Sequence, residues 1–367
     1  MRGDEELQEG IIMLASADDR VPPDHPLRAI RTMVDVALSA MSPLLTSLYA
    51  ERGRASIPPE YLLRAQLLQI LYAIPSERRL CEHIEYNILF RWFVGLPLTE
   101  PMWHHSSFTK NRDRLLSSGV AEAFHGQIRS QAEAHKLLSR KHFSVDGTLL
   151  EAAASLKSFR PRGEASETKG KGPSGGGRNP EVDFHGEKRS NATHVSTTDP
   201  DARLAKKGKG KEAKLCYCGH IMTENRNGLI VEVALTAATG TAEVDAAIGL
   251  LAAVRARRKG PLTVGADKGY DTARFVKEGR TLKVTPHVAR KKKGSAIDGR
   301  TTSWDGYGIS QRVRKRIEEC FGWMKNVGLL RKLRHRGLAK VEALFLFSCA
   351  CCNLVRMRKL LAEPAPG

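Results

Sequence analysis

Three acidic residues far apart in the chain sit where carboxylates can do chemistry. Asp146 follows the apolar run Phe143-Ser144-Val145, and Asp267 follows Leu262-Thr263-Val264-Gly265-Ala266. Gly147 comes directly after the first, and Lys268-Gly269 after the second. Glu318 lies in the basic segment Gln311 to Lys325, where Val313, Ile317, Cys320, Phe321 and Met324 recur at helical spacing. That segment is expected to be one half-buried helix, with Arg314, Glu318 and Lys325 beside its apolar stripe. Sites in open α/β sheets gather at strand ends, so two strand-end aspartates and a helix-borne glutamate can share a crevice. Three carboxylates and a substrate phosphate suit two Mg²⁺ ions about 3.5–4 Å apart. One ion would activate an attacking oxygen and the other would stabilise the leaving oxygen. Each acid alone has a plainer explanation. An Asp-Gly pair is commonly a turn, and a glutamate in a basic helix is commonly half of an i,i+4 ion pair. Among the neighbouring acids, Glu319 is expected to face solvent, Asp271 can cap a helix opening at Thr272, and Glu151 is less tied to its strand end.

The rest of the composition points the same way. The 367 residues carry 59 Lys and Arg against 40 Asp and Glu, a formal charge of +19, which favours a polyanionic partner. The longest apolar run, Val341 to Cys352, is interrupted by Glu342 and Ser348. It falls short of the roughly 18–20 residues a bilayer span needs and reads as a core helix. The N-terminus has no cationic-then-apolar leader pattern. The expectation is a cytoplasmic protein that does not use a membrane, with nucleic acid as the partner. Seven cysteines contain no Cys-x₂-Cys pair and read as buried apolar side chains.

The elements that must position the acids fall into two parts. Residues 1–135 are expected to form an all-α N-terminal domain for DNA binding or dimerisation. One helix starts at Pro58-Pro59-Glu60, and a second starts at Ser76 and carries Leu80, Ile84, Ile88 and Leu89. A third, from Ser106 or Ser107, bears Lys110 and Arg112 as candidate DNA contacts. Residues 136–360 are expected to form the catalytic domain, a mixed sheet flanked by helices. It would comprise a strand at 141–150, a hairpin across Asn225-Arg226-Asn227-Gly228, a helix at 242–256, and a strand at 262–266. A short helix at 272–278 and a strand at 282–285 would follow. A Gly/Lys-rich stretch at about 158–212 reads as a flexible basic insertion.

Taken in order, these residues resemble the DDE transposases of bacterial insertion sequences, particularly the insertion-sequence-five family. Ile57 to Leu80 and Phe90 to Leu96 resemble that family's N-terminal region. Phe143-Ser144-Val145-Asp146-Gly147-Thr148 resembles its first acidic motif, and Ala266-Asp267-Lys268-Gly269-Tyr270-Asp271 its second. Ile317-Glu318-x₂-Phe321-Gly322-Trp323-Met324-Lys325 is similar to its third. Thr198 to Ala202 and Thr239-Gly240-Thr241-Ala242-Glu243 add further likeness. The resemblance implies a ribonuclease-H-like catalytic fold and a centre of Asp146, Asp267 and Glu318 holding two Mg²⁺ ions, with Mn²⁺ as a substitute. It also implies double-stranded DNA as partner, both element ends and target, and a homodimer joining two ends in a nucleoid-associated bacterial complex. The expected activity is cleavage and strand transfer at terminal inverted repeats. The third motif is usually Tyr-x₂-Arg-x₃-Glu-x₆-Lys. Arg314, Glu318 and Lys325 fit that spacing, with Arg314 and Lys325 as phosphate contacts beside the acid, but Gln311 stands at the tyrosine position.

Between Arg312 and Lys340 lie ten Lys or Arg residues and two acids. Arg331, Lys332, Arg334 and Arg336 are expected to track a DNA backbone, which gives affinity without sequence information. Trp304 and Trp323 are candidates for stacking on an unpaired base.

Overall fold

The computed structural model describes residues 16–50, 52, 56–116, 119–162, 189–208 and 210–362. Helices come first: α1 (Pro26–Ala40), α2 (Ser42–Ser47), α3 (Pro59–Leu71), α4 (Glu77–Tyr86), α5 (Ile88–Val94), α6 (His105–Leu116) and α7 (Val120–Ala134). Local chemistry sets their ends. Pro59 opens α3, and Ser76 caps α4 by accepting from the Arg79 N–H. The single helix expected from Ser76 through Leu89 is two helices. Asn87, with extended backbone, ends α4 and caps α5 through the Phe90 N–H. Gly95, at φ +92°, then ends α5 in the left-handed conformation that glycine adopts without a Cβ penalty.

The strands are β1 (His142–Glu151), β2 (Phe159–Pro161), β3 (His194–Ser196), β4 (Arg203–Ala205), β5 (Lys214–Glu224) and β6 (Ile230–Ala237). They are followed by α8 (Ala242–Arg257), β7 (Leu262–Ala266), α9 (Ala273–Thr281), β8 (Val284–Val288), α10 (Gly299–Thr302), α11 (Asp305–Val313), α12 (Ile317–Asn326) and α13 (Leu338–Ala362). β5 is antiparallel to β1 and β6, and β7 is parallel to β1 and β8. The central order is therefore β6-β5-β1-β7-β8, with short β4 also on the outer edge of β5. An antiparallel meander continued by parallel strands reached through helices is the ribonuclease-H-like mixed sheet, here preceded by an all-α region.

Two sequence expectations change at this level. The part of the basic insertion that is described is built into the fold: β2 pairs β3, and β4 pairs β5. The remainder, 163–188 and 209, lies outside the described residues. The helix expected across Gln311 to Lys325 is broken into α11, a 3₁₀ turn at Arg314–Arg316, and α12. Its stripe survives the break, with Ile317, Cys320, Phe321 and Met324 buried.

One continuous apolar core runs from α1 through the sheet to α13. α13 contacts α1, α3, α6, α7, α12 and β6. It is long and apolar enough to cross a membrane by length and composition, yet 72% of its most apolar stretch is buried inside the protein. It is also longer than the Val341 to Cys352 run suggested. Its Phe345 ring lies over Gly219 of β5, where a Cβ would sit 2.7 Å from the ring. All seven cysteines are free and buried. The hairpin turn is organised by Glu224, fully buried, whose carboxylate accepts from the N–H groups of Ser139, Arg226, Asn227 and Leu229.

Candidate active site

The site is built around a gap in one edge of β1. Along one edge β1 pairs β5 continuously from Phe143 to Glu151. Along the other it pairs β7 over His142 to Ser144 only, and then meets a single bridge from Glu151 to Lys332. Residues 146–149, between those two contacts, are the half-buried part of the strand. Asp146 is therefore not at a strand end as expected. Gly147 continues the strand because antiparallel pairing with β5 carries on after β7 has stopped. Asp267 does lie just past the end of β7. Ser144 pairs Gly265, so Asp146 and Asp267 are each two residues beyond the last parallel pair and stand level on neighbouring strands.

Both carboxylates are held by local backbone. Asp146 Oδ1 accepts from the Gly147 N–H at 2.8 Å, and Asp267 Oδ1 from the Gly269 N–H at 2.7 Å. The second bond makes Asp267 the cap of the 3₁₀ turn Lys268–Tyr270. Burial pushes the Asp146 carboxyl up to about 6, opposed by the Gly147 N–H; Asp267 and Glu243 raise it further, and Arg314 lowers it. Asp271 does not cap α9. Thr272 does, through the Phe275 N–H, while Asp271 is buried and accepts from the Lys291 and Ala296 N–H groups. Two backbone donors from the 290–297 loop satisfy Asp271 better than a single capping bond would.

Arg314, Glu318 and Lys325 approach from the α12 side. Arg314 leans its Cβ to 3.3 Å from the Cβ position of Gly265, and its Nε donates to Gln311 Oε1 at 3.1 Å. Gln311 also donates to the His287 carbonyl, so this departure from the family pattern orients the arginine from within the fold. Lys325 Nζ donates to Thr148 Oγ1 at 2.6 Å, on the same face of β1 as Asp146. Glu318 lies seven residues before Lys325 and shares its side of α12. It is solvent-exposed, more open than either aspartate. Glu319 is also exposed and pairs with Arg356 at 3.2 Å.

The expected DNA contacts are distributed unevenly. Arg331, Lys332, Arg334, Arg336 and Lys110 are exposed. The Leu333 N–H donates to the Glu151 carbonyl at 2.8 Å, which seats the Arg331–Arg336 segment at the far end of the β1 gap. Arg334 also donates to the Ile74 and Pro75 carbonyls. Arg112 is a correction. It is 4% exposed and ion-paired with Glu77 and Asp113, so its charge is spent inside the helical region. Trp304 is 71% exposed, whereas Trp323 packs against the core.

Two residues at the centre were not singled out from the sequence. Glu243, at the start of α8, is accessible to solvent and lays its carboxyl against Gly147. A Cβ on Gly147 would lie 3.4 Å from Glu243 Oε1, and one on Gly269 3.9 Å from Oε2. Partial burial raises the Glu243 carboxyl, and the Asp267 charge adds to the rise. Tyr270 is 1% exposed, and its hydroxyl has no hydrogen-bond partner among the described residues. Its phenol is pushed up by burial first, then by Asp146, Glu243 and Asp267. Both residues fall inside motifs that carried the family likeness, Thr239–Glu243 and Ala266–Asp271, but the sequence assigns them no role.

Among the described residues no three His, Cys, Asp or Glu side chains converge closely enough to enclose a metal ion. The donor set nonetheless fits a hard divalent cation, since Mg²⁺ is commonly held by one or two carboxylates together with waters and substrate phosphate. Asp146 and Asp267 provide the pair, and the unpartnered Tyr270 hydroxyl marks polar capacity beside them.

Fold and site thus define a ribonuclease-H-like protein with its carboxylates at the β1–β7 crevice. Residues 15–114 match the family described as Transposase domain (DUF772), and residues 191–354 match Transposase DDE domain. The chain belongs to the DDE transposases. No curated protein matches it by sequence. Among solved structures it is similar to a piggyBac transposase synaptic complex with hairpin DNA, at 10% identity over 93% of this chain and 77% of that one, TM-score 0.45. A Mos1 transposase paired-end complex with left transposon end is similar at 10% identity over 78% and 83%, TM-score 0.20. The Mos1 strand transfer complex gives 11% identity over 78% and 83%, TM-score 0.19. At these values the assignment rests on the family matches and the strand order.

Proposed function

We propose that this transposase binds the terminal inverted repeats of an insertion sequence and catalyses Mg²⁺-dependent DNA cleavage and strand transfer. Asp146, Asp267 and Glu318 act as the catalytic, metal-holding acids. The observation that carries the reading is the level placement of Asp146 and Asp267 across the β1–β7 crevice, both tethered by backbone N–H groups. Arg314, anchored over Gly265, and Lys325, anchored on Thr148, bracket Glu318 on the same side of the sheet. That supports Glu318 as the acid that closes onto the pair when DNA fills the gap. When bound, the two Mg²⁺ ions would supply an activated water or 3′-hydroxyl and stabilise the leaving oxygen. Arg314 and Lys325 bind the phosphates flanking the cut bond and keep them in line. The Arg331–Arg336 segment and Lys110 continue the cationic track along the duplex. A homodimer joining two ends, placement in the insertion-sequence-five family, and a cytoplasmic, nucleoid-associated location complete the proposal. Full-length protein with Mg²⁺ and labelled DNA ends should give cut and joined products. D146N, D267N and E318Q should bind the ends and leave them intact. A wild-type protein that binds without cutting would instead be a DNA-binding regulator, and cutting without joining would make it a nuclease.

A further inference from the structure

Asp146, Asp267 and Glu318 lie around the β1 gap in a chain of net charge +19, and Glu243 brings a further carboxylate beside the two aspartates, although as they stand the acids do not converge enough to enclose an ion. Glu243 reaches the group from the opposite face of the sheet. Gly147 pairs with His220 on the α8 side of β1, whereas Asp146 faces α12. A side chain at position 147 would crowd that approach, because its Cβ would lie 3.1 Å from His220 Nδ1 and in contact, at 3.4 Å, with both Cγ and Oε1 of Glu243. The missing side chain is therefore the opening through which an acid from α8 comes level with Asp146. The two oxygens of Glu243 are split between the backbone beside Asp146 and the backbone held by Asp267. Among the described residues no cation pairs with Asp146, Asp267 or Glu243, although Asp245, two residues on, has Arg274 at 2.6 Å. The Tyr270 hydroxyl, buried beside these acids without a partner, is an independent sign that the group is incomplete as it stands.

We propose that Glu243 is a further ligand of the divalent-cation centre, holding the ion with Asp146 and Asp267 in the DNA-free protein, and that Tyr270 is its positioning residue. Drawing three carboxylates inward around a cation removes their mutual repulsion. It also leaves one carboxylate oxygen as acceptor for the Tyr270 hydroxyl. Glu243 then differs from Glu318, which stays open on α12 until DNA arrives. The inference rests on the cation-dependent reading above.

The test is Mn²⁺ titration of the full-length protein by calorimetry without DNA, a readout independent of cleavage. E243Q should weaken Mn²⁺ binding about tenfold or more, Y270F should weaken it less, and E318Q should leave it near wild type. E243Q removes a like charge, so in EDTA it should melt at or above the wild-type temperature. E243D, which restores a shorter carboxylate, should recover part of the affinity and covers the case of an unfolded E243Q. If D267N loses the ion while E243Q and E243D titrate as wild type, Glu243 is not a ligand and the inference is overturned. If wild type takes up no Mn²⁺ even with DNA ends added, the cation-dependent function itself falls.

Discussion

Replacing Asp146 by asparagine should stabilise the metal-free protein and abolish its response to metal. Burial, together with Asp267 and Glu243, lifts the carboxyl from 3.8 to about 6. At 1.36 kcal/mol per unit this is a penalty of at most about 3 kcal/mol for the ionised folded form. Partial exposure of the site screens it to about 1–2 kcal/mol. The folded pKa is raised, so the folded state binds more protons than the unfolded chain between about 4 and 6, and stability falls as pH rises through that window. Asparagine keeps an oxygen to accept from Gly147 and does not titrate. In EDTA, D146N should therefore match wild type near pH 4 and exceed it by about 1–2 kcal/mol at pH 8. Adding Mn²⁺ should reverse the order, because wild type gains about 1.4 kcal/mol for each tenfold excess of ion over its dissociation constant and D146N gains little. Urea melts at both pH values, with EDTA or Mn²⁺, read this directly. A D146N protein no more stable than wild type in EDTA at pH 8, or equally favoured at pH 4, would refute the account of the crevice as a site of unrelieved negative charge.

R112A should cost about 3 kcal/mol in urea denaturation, since it strands the partly buried Glu77 while Asp113 keeps Lys340, and should leave the DNA affinity of the folded protein unchanged. Neutralising Arg331, Arg334 and Arg336 together should weaken binding to unrelated duplexes alike and flatten the log–log salt dependence by about 0.9 for each phosphate no longer neutralised; weakening confined to one sequence would contradict binding to the DNA backbone. G219A should destabilise by about 1–3 kcal/mol through overpacking against Phe345, and F345L in the same chain should return part of that, as a double-mutant cycle on thermal melts would show.

The strands and helices that carry the acids were legible because periodicity and turn chemistry act locally. The hairpin across Asn225–Gly228, the 262–266 strand and the Ser76 cap all depend on residues within a few positions of one another. What was not legible depends on the third dimension. Asp146 looked like a strand end because glycine follows it, and only the partner strand β5 determines that the backbone runs straight on. Arg112 looked like a surface cation because its neighbours Lys110 and Arg114 are, but its partner Glu77 is thirty-five residues away on α4. The break at Asn87 was hidden by apolar spacing that continues across two helices.

Glu243 carries the least local signal of these, and the reason lies in the fold. Sequence reading ranks acids by their own surroundings, and Glu243 sits in an ordinary first turn of a helix with Asp245 nearby. Its relation to Asp146 is made by a residue that has no side chain. Gly147 could be a turn, a bulge or a close approach, and nothing in Asp146-Gly147-Thr148 chooses between these. With β5 and α8 in place only the last remains, because an alanine at 147 would press on His220 Nδ1, 3.1 Å from its Cβ, and touch Glu243 at 3.4 Å. β5 therefore carries β1 straight on for Thr148 to meet Lys325, while the glycine leaves room for an acid from the other face of the sheet. A G147A protein should fold with a displaced α8 start and bind Mn²⁺ more weakly, although every acid in it is intact.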